Sequence, residues 1–104
     1  MPAVARANGV DTVFSRTGTG RNCGSALITS TGTGTATVFI NSIPAVYQGN
    51  PVASHPAGGC GPDLSTLSSF SGTVFANGGG LGRIGDQYSS DNTIISGSSD
   101  VFAG

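Results

Sequence analysis

The apolar residues of this chain occur in short runs, and segments rich in Gly, Ser and Thr separate them. In one run, Val38-Phe39-Ile40-Asn41, the residues Val38 and Ile40 would face one side of a strand and Phe39 and Asn41 the other. β-Branched and aromatic residues dominate these runs, and such residues favour strands. The pattern predicts a protein built from short β-strands.

The same run occurs three times at unequal intervals. Val-Phe-Ile-Asn at 38–41 returns as Val-Phe-Ala-Asn at 74–77 and as Val-Phe-Ala-Gly at 101–104. Each copy follows an apolar residue and a turn of small residues, which predicts units made of a short strand, a Gly/Ser turn and a second short strand. Three such hairpin units favour a compact triangular β-structure. An ordinary small β-sandwich is the alternative.

The segments that follow the repeated runs also correspond to one another. Residues 41–50 match residues 77–86, and the chain opens with the related sequence Pro-Ala-Val-Ala-Arg at 2–6. The chain therefore begins and ends in the middle of a repeat. We expect the three units to close on themselves, with the two ends of the chain as neighbours.

The composition indicates that the core is thin. The chain has 104 residues, which corresponds to one domain over 1–104, and it contains 18 Gly, no Trp and only 37% hydrophobic residues. Because ordering a glycine costs more backbone entropy than ordering any other residue, such a domain needs an additional staple. Disorder is the alternative, but a net charge of -1 and 9% charged residues are not typical of disordered chains.

The charged residues exclude several classes of protein. The chain has no Lys and no Glu, so a helical protein is not expected. Four arginines give no basic surface for nucleic acid. No apolar run approaches the roughly 20 residues that span a bilayer, and the first residues lack the pattern of a signal peptide. The five aspartates form no evident acid–base pair, and we expect them to cap turns.

The residues with metal-binding chemistry are confined to loops. Three irregular loops lie between the repeated strands, at residues 17–25, 52–63 and 87–92. Both cysteines, Cys23 and Cys60, and the single histidine, His55, lie in the first two of them. Thiolate and imidazole are natural zinc ligands. If the loops converge, a metal ion would join distant segments, and its binding energy would become folding energy.

Three other interpretations of these residues are open. A Cys23–Cys60 disulfide would require an oxidising compartment. His55 could be a surface residue beside two inert buried cysteines. A Cys–His nucleophile is the third alternative, although no cleft-forming architecture accompanies it. A structural metal site is the interpretation that also supplies the staple.

Four motifs together resemble the PAAR-repeat family. They are Pro-Ala-Val-Ala-Arg at 2–6, Val-Phe-Ile-Asn-Ser-Ile-Pro-Ala at 38–45, Gly-Arg-Ile-Gly-Asp at 82–86, and Gly-Ser-Ser-Asp-Val-Phe-Ala-Gly at 97–104. Each motif is short and rich in small residues, and the specificity comes from their order and spacing. The resemblance covers essentially the whole chain.

The resemblance implies an all-β, cone-shaped fold with pseudo-threefold symmetry and a metal-pinned apex. The metal would be one structural ion, zinc in most relatives, with iron as the alternative. The flat base of the cone would sit as a monomer on a trimeric β-helical spike, in a contractile phage tail or a type VI secretion system. Such a tip is not an enzyme. It touches a target membrane transiently and binds neither nucleic acid nor a small-molecule substrate.

The resemblance also assigns the metal ligands. The positions that match the family's ligands are Cys23, His55 and Cys60. In the third loop many relatives have a cysteine, where this chain has Ser90 followed by Asp91. A carboxylate is an acceptable zinc ligand and a neutral hydroxyl a poor one. Asp91 is therefore the expected fourth ligand, with Asp63, Ser90 or a water as alternatives.

The apolar residues of the repeats predict a partner surface. Phe39, Phe75, Phe102, Ile40 and Val101 exceed what a slim core can hide, and a contiguous exposed apolar face marks a binding surface. We expect this face to bind the trimeric spike.

The setting of such a tip has two interpretations. A bare domain favours the tip of a phage tail, made in the host cytoplasm and carried on the virion. The alternative is a type VI secretion tip that acts as an adaptor for effectors. A small zinc metallohydrolase is a remote third possibility, and it would need an open coordination position beside a water.

Overall fold

The computed structural model describes residues 2–15, 27–35, 37–53, 65–76, 78–89 and 92–104. It contains eight short strands: β1 (Thr12–Ser15), β2 (Leu27–Ser30), β3 (Phe39–Ile40), β4 (Ile43–Pro44), β5 (Phe75–Ala76), β6 (Gly79–Gly80), β7 (Gln87–Tyr88) and β8 (Asn92–Ile94). All strand pairs are antiparallel, and these ranges contain no helix. The predicted all-β class is confirmed.

The largest sheet has four strands in the order β2-β1-β8-β7. Its central strand β1 alternates as a half-buried strand should, because Val13 and Ser15 are buried and Phe14 between them is exposed. Phe14 lies opposite Ile28 on β2 and Thr93 on β8. One face of this sheet therefore packs on the core and the other is open.

Two hairpins and one pairing of the chain ends form the remaining strand structure. Strands β3 and β4 pair with Phe39 opposite Pro44, and β5 and β6 pair with Phe75 opposite Gly80. The third copy of the motif has no local partner, and Phe102 instead pairs with Ala3. The prediction that the two ends of the chain are neighbours is confirmed.

The hairpin turns lie elsewhere than the sequence pattern predicted. We expected the turn in the Gly/Ser segment before each Val-Phe run, whereas the first hairpin turns after the run, at Asn41 and Ser42, with φ of 53° and 67°. The Gly/Ser segment forms a tight turn of its own. In the second copy, for example, Ser71 Oγ accepts hydrogen bonds from the backbone N–H groups of Thr73 and Val74. A side chain that satisfies the backbone locally competes with strand pairing, which explains the difference.

The same local turn is present in each unit. Ser98 Oγ accepts from the backbone of Asp100 and Val101, at 3.2 and 3.1 Å. Thr35 Oγ1 accepts from the backbone of Thr37 at 3.1 Å. The Gly/Ser/Thr segments are thus structurally equivalent although their sequences differ.

A ring of three hydrogen bonds joins the units to one another. Ala5 N donates to Gly82 O at 2.9 Å, Gly82 N donates to Val46 O at 2.9 Å, and Val46 N donates to Ala5 O at 3.4 Å. Each of these residues follows an apolar residue at the same position of its repeat. The ring connects the three units to one another at corresponding positions of the repeat.

Buried side chains form two apolar clusters. The first, the sheet cluster, consists of Ala5, Ala7, Val13, Val46, Val52, Leu67, Tyr88 and Ile94, with Phe70 against it. The second, the hairpin cluster, consists of Val4, Ile40, Ala45, Ala76, Leu81 and Ala103, with Val38, Tyr47 and Val101 against it. Most of these side chains are small, so the core is thin, as the composition predicted.

Acidic and amide side chains close one turn in each unit. Asp11 accepts hydrogen bonds from the backbone and the guanidinium of Arg6, and Asp86 does the same for Arg83. In the remaining unit Asn50 stands in place of the aspartate, and its Oδ1 accepts a hydrogen bond from the backbone N–H of Tyr47 at 2.8 Å. The prediction that aspartates cap turns is confirmed for Asp11 and Asp86.

Candidate functional site

The predicted metal ligands lie outside the described residues. This holds for Cys23, His55 and Cys60, and equally for the three candidates for the fourth position, Asp63, Ser90 and Asp91. Within the described ranges, no group of three or more His, Cys, Asp or Glu side chains could hold a metal ion. The structure does describe the residues that flank the loops carrying these ligands. The positions of those flanking residues define the candidate site.

The first and third loops begin and end on adjacent strands. Ser15, the last residue of β1, lies opposite Leu27 at the start of β2 and opposite Asn92 at the start of β8. Asn92 in turn lies opposite Tyr88, the last residue of β7. All four residues occupy the same end of the four-stranded sheet, so both loops leave the core there.

The second loop joins the same end of the core. Val52 N donates to Ser65 O at 3.1 Å, which brings the two sides of this loop together. The Ser65 hydroxyl then accepts a hydrogen bond from Asn92 Nδ2 at 3.0 Å. The residues that flank the three predicted loops are thus connected by strand pairing and hydrogen bonds at one end of the sheet cluster.

A buried polar layer covers this end of the sheet cluster. Ser15, Ser65, Asn92 and Tyr88 are all buried, and they lie at or next to the residues where the loops begin and end. The Tyr88 side chain is only 1% exposed, and its hydroxyl has no hydrogen-bond partner among the described residues. Burial raises the pKa of Tyr88. The layer was not predicted from the sequence, although Tyr88 stands where the other repeats have Val13 and Val52.

A second candidate surface consists of three equivalent phenylalanines. Phe39, Phe75 and Phe102 are 55%, 57% and 48% exposed. Each precedes a buried residue of the hairpin cluster, so each ring faces away from that cluster. We call these three residues the phenylalanine triad.

Two residues expected on the apolar surface are not on it. Ile40 is only 7% exposed and belongs to the hairpin cluster, and Val101 is half-buried against the same cluster. Strand alternation gives the reason, because Ile40 and Phe39 are neighbours and must face opposite sides. The expected surface is therefore corrected to the triad, whereas the prediction that Val38 and Ile40 face one side of the strand and Phe39 the other is confirmed.

The outer face of the four-stranded sheet is a further exposed apolar area that the sequence analysis missed. Phe14 and Ile28 lie opposite each other there, and both are exposed. The alternation of β1 was the available signal, since Val13 and Phe14 are neighbours and place apolar side chains on both faces of that strand.

No protein-family model matches the chain, and no curated protein matches it. In the described ranges, no helix is long and apolar enough to cross a membrane. The resemblance to PAAR-repeat proteins accordingly rests on the four sequence motifs and stays a prediction.

Proposed function

We propose that this protein is a non-enzymatic tip that caps and sharpens a trimeric β-helical spike of a contractile injection machine. The observation that supports the proposal is the exposure of the phenylalanine at the same position of each repeated run. Phe39, Phe75 and Phe102 are all exposed, and all three belong to a single chain. A phage tail is the favoured machine, and a type VI secretion spike is the alternative.

Three corresponding units in one chain suit a trimeric partner. A homotrimer presents three copies of one surface around its axis, and a single asymmetric chain could contact only one of them well. Here three equivalent apolar side chains are available from one monomer. If the three rings share one face, they would form a contiguous apolar patch of the kind that marks a binding surface.

The loop end of the core supports a metal-pinned apex. Cys23, His55 and Cys60 would hold one zinc ion, with Asp91 as the expected fourth ligand, because thiolate, imidazole and carboxylate groups suit tetrahedral zinc. The loops that carry them leave the core at one end, beside an orphaned buried hydroxyl. Bound there, zinc would supply cross-links between loops. The apolar core is thin, so such cross-links would contribute a large share of the stability.

The charges fit a structural role. The two Arg–Asp pairs join residues within the turns of the units, at 2.9 Å for Arg6–Asp11 and 2.8 Å for Arg83–Asp86. Asp11 is also bonded to the hydroxyl of Ser96, which comes from a distant part of the chain. These groups hold turns in place, which is what a rigid tip requires.

Co-purification with the trimeric spike protein from the same source would test this proposal. We expect a complex of one chain per spike trimer by native mass spectrometry, with no binding to spike monomers. Replacing the phenylalanine triad by Ser should abolish the complex without unfolding the protein, because the three rings are exposed. Ile28→Ser is the matched control, since Ile28 is equally exposed and lies outside the triad. Retention of the complex by the triple variant, or its loss in the control alone, would contradict the proposal.

A further inference from the structure

Asp100 is the one charged side chain of the described ranges that forms no ion pair there. The others form two pairs, Arg6–Asp11 and Arg83–Asp86, whose members are all buried or half-buried. Asp100 is exposed instead. The described part of the chain thus carries one surface carboxylate that no cation of its own pairs with.

The turn that contains Asp100 does not require a charge. Thr37 and Thr73 stand at the same position of the other two repeats, one residue before the Val-Phe run. Ser98 Oγ accepts from Asp100 N and donates to Asp100 Oδ1. Thr35 Oγ1 accepts from Thr37 N in the same way, and it lies 3.1 Å from Thr37 Oγ1. A neutral hydroxyl therefore suits this position in the other units.

Two neutral side chains hold the Asp100 carboxylate in place. Asn41 Nδ2 and Ser98 Oγ both donate to Asp100 Oδ1, each at 2.9 Å. The second carboxylate oxygen, Oδ2, accepts no hydrogen bond from the described residues. The bonds from Asn41 and Ser98 lower the pKa of Asp100, so the group is ionised at neutral pH. The turn presents a fixed, negatively charged oxygen at the surface.

Asp100 lies beside two members of the phenylalanine triad. Phe102 follows Asp100 by two residues, and Asn41, which bonds to Asp100, follows Phe39 by two residues. Since two residues span no more than about 7 Å of chain, the carboxylate lies close to both. A partner that covers Phe39 and Phe102 together would also cover this carboxylate.

We propose that Asp100 forms an ion pair with a lysine or arginine of the trimeric spike when the tip docks. This inference rests on the proposed function, because it takes the phenylalanine triad as the docking surface. Removing an ionised carboxylate from water without a cation is costly, so a surface that covers Asp100 has to supply one. Charge complementarity of this kind also sets specificity and the rate of association.

The symmetry of a trimeric partner gives the proposal a second consequence. A homotrimer that presents one cation to Asp100 carries the same cation on its other two subunits. The tip has Thr37 and Thr73 at the corresponding positions. Thr37→Asp should therefore supply a carboxylate to a second of these cations and strengthen the complex.

The test measures the affinity of each variant for the trimeric spike protein from the same source, by titration calorimetry at low and at high salt. We expect Asp100→Asn to bind at least about tenfold more weakly, because the spike cation loses its partner. Its affinity should also depend less on salt than that of the parent. The variant should still fold, since an amide oxygen can accept the bonds from Asn41 and Ser98.

The converse variant adds a carboxylate. Thr37→Asp should bind several-fold more tightly than Thr37→Asn, which is its neutral control. Gln87→Glu is the control for net charge, because it adds the same charge at an exposed position outside the triad. It should bind the spike as the parent does.

Equal affinity and equal salt dependence of the parent and Asp100→Asn would overturn the inference and leave the proposed function intact. If Asp100→Asn does not fold, a Thr37→Asp variant that binds no more tightly than Thr37→Asn would overturn the inference equally. A parent that forms no complex with the spike trimer would instead refute the proposed function, and the inference with it.

Discussion

Phe102 pairs with Ala3, so the last repeated run of the chain is completed by the first residues. The pairing is extended by a hydrogen bond from Ala103 N to Pro2 O at 3.0 Å. It takes the place of the hairpins that Phe39 and Phe75 form within their own units. The third unit is therefore a hairpin whose turn is interrupted.

Circular permutation should exploit this interruption. Joining residue 104 to residue 2 by a short linker and opening the chain between Asn41 and Ser42 moves the break from one equivalent hairpin to another. We expect the melting temperature of this permutant to fall by no more than about 5 °C, because closing a short loop costs little. Thermal unfolding followed by circular dichroism measures it.

The control permutant is opened between Ala5 and Arg6, inside the ring of hydrogen bonds. It should not fold, since Ala5 contributes both a donor and an acceptor to that ring. Equal stability of the two permutants would contradict the conclusion that the ring of hydrogen bonds is needed for folding and the hairpin turn is not.

Gly34→Ala should destabilise the protein strongly. A Cβ at this position would overlap the carbonyl oxygen of Ala45 and lie 2.5 Å from the Cβ of Ala7. Neither group can move without breaking the packing of two units, so we expect a loss of about 1–3 kcal/mol. Urea unfolding gives the free energy.

Gly72→Ala is the matched control for this change. A Cβ at Gly72 meets nothing within 4 Å, and its φ is not in the left-handed region. The substitution should be neutral or stabilise by about 0.4–1 kcal/mol through the unfolded state. If both variants lose the same stability, close approach of the units at Gly34 is not the cause.

Asp11→Asn should make the protein less sensitive to acid. Burial opposes the ionisation of Asp11, but the hydrogen bonds from Arg6 and Ser96 outweigh it and lower the pKa of Asp11. The ionised form therefore adds stability that is complete above the ordinary pKa of about 4 and is lost as pH falls through the lowered value.

At pH 7 the variant should lose about 1–3 kcal/mol, because Arg6 keeps only a weaker partner. The difference between parent and variant should shrink as the pH approaches 2. Urea midpoints measured between pH 7 and pH 2 would show this convergence. A constant difference over the whole range would contradict it.

Removal of the proposed metal should act like the loss of one ligand. We expect close to one zinc or iron ion per chain by elemental analysis. Chelation or His55→Ala should each lower the melting temperature by more than ~10 °C, because metal binding energy is folding energy. Chelator added to His55→Ala should have no further effect. A metal-free parent whose melting is unchanged by chelator would contradict the metal staple.

The fold class and the repeat could be predicted because both are local patterns. The alternation of Val38, Phe39 and Ile40 predicts a strand and the side to which each residue points. The recurrence of the motif predicts that the two ends of the chain are neighbours. The turn positions could not be predicted as well. Turn residues are present on both sides of each Val-Phe run, and the structure decides between them through the hydroxyls of Ser71 and Ser98.

The candidate site was predictable in part. Ligand chemistry identifies Cys23, His55 and Cys60 from the sequence, and these assignments remain predictions. The polar layer beneath the loops was missed, because Ser15, Ser65 and Asn92 come from distant segments and meet only through strand register. Tyr88 was missed because its aromatic ring fits an apolar pattern, and only burial reveals its hydroxyl as unusual.

The ring formed by Ala5, Gly82 and Val46 also has a consequence for how the chain folds. Two of its three hydrogen bonds involve Ala5, and one of those two joins Ala5 to Gly82, which lies far away in the sequence. The ring cannot close while the last unit is still being synthesised. Folding should therefore wait until all three units have been synthesised and take on the order of milliseconds to seconds, the range of proteins dominated by contacts between distant residues.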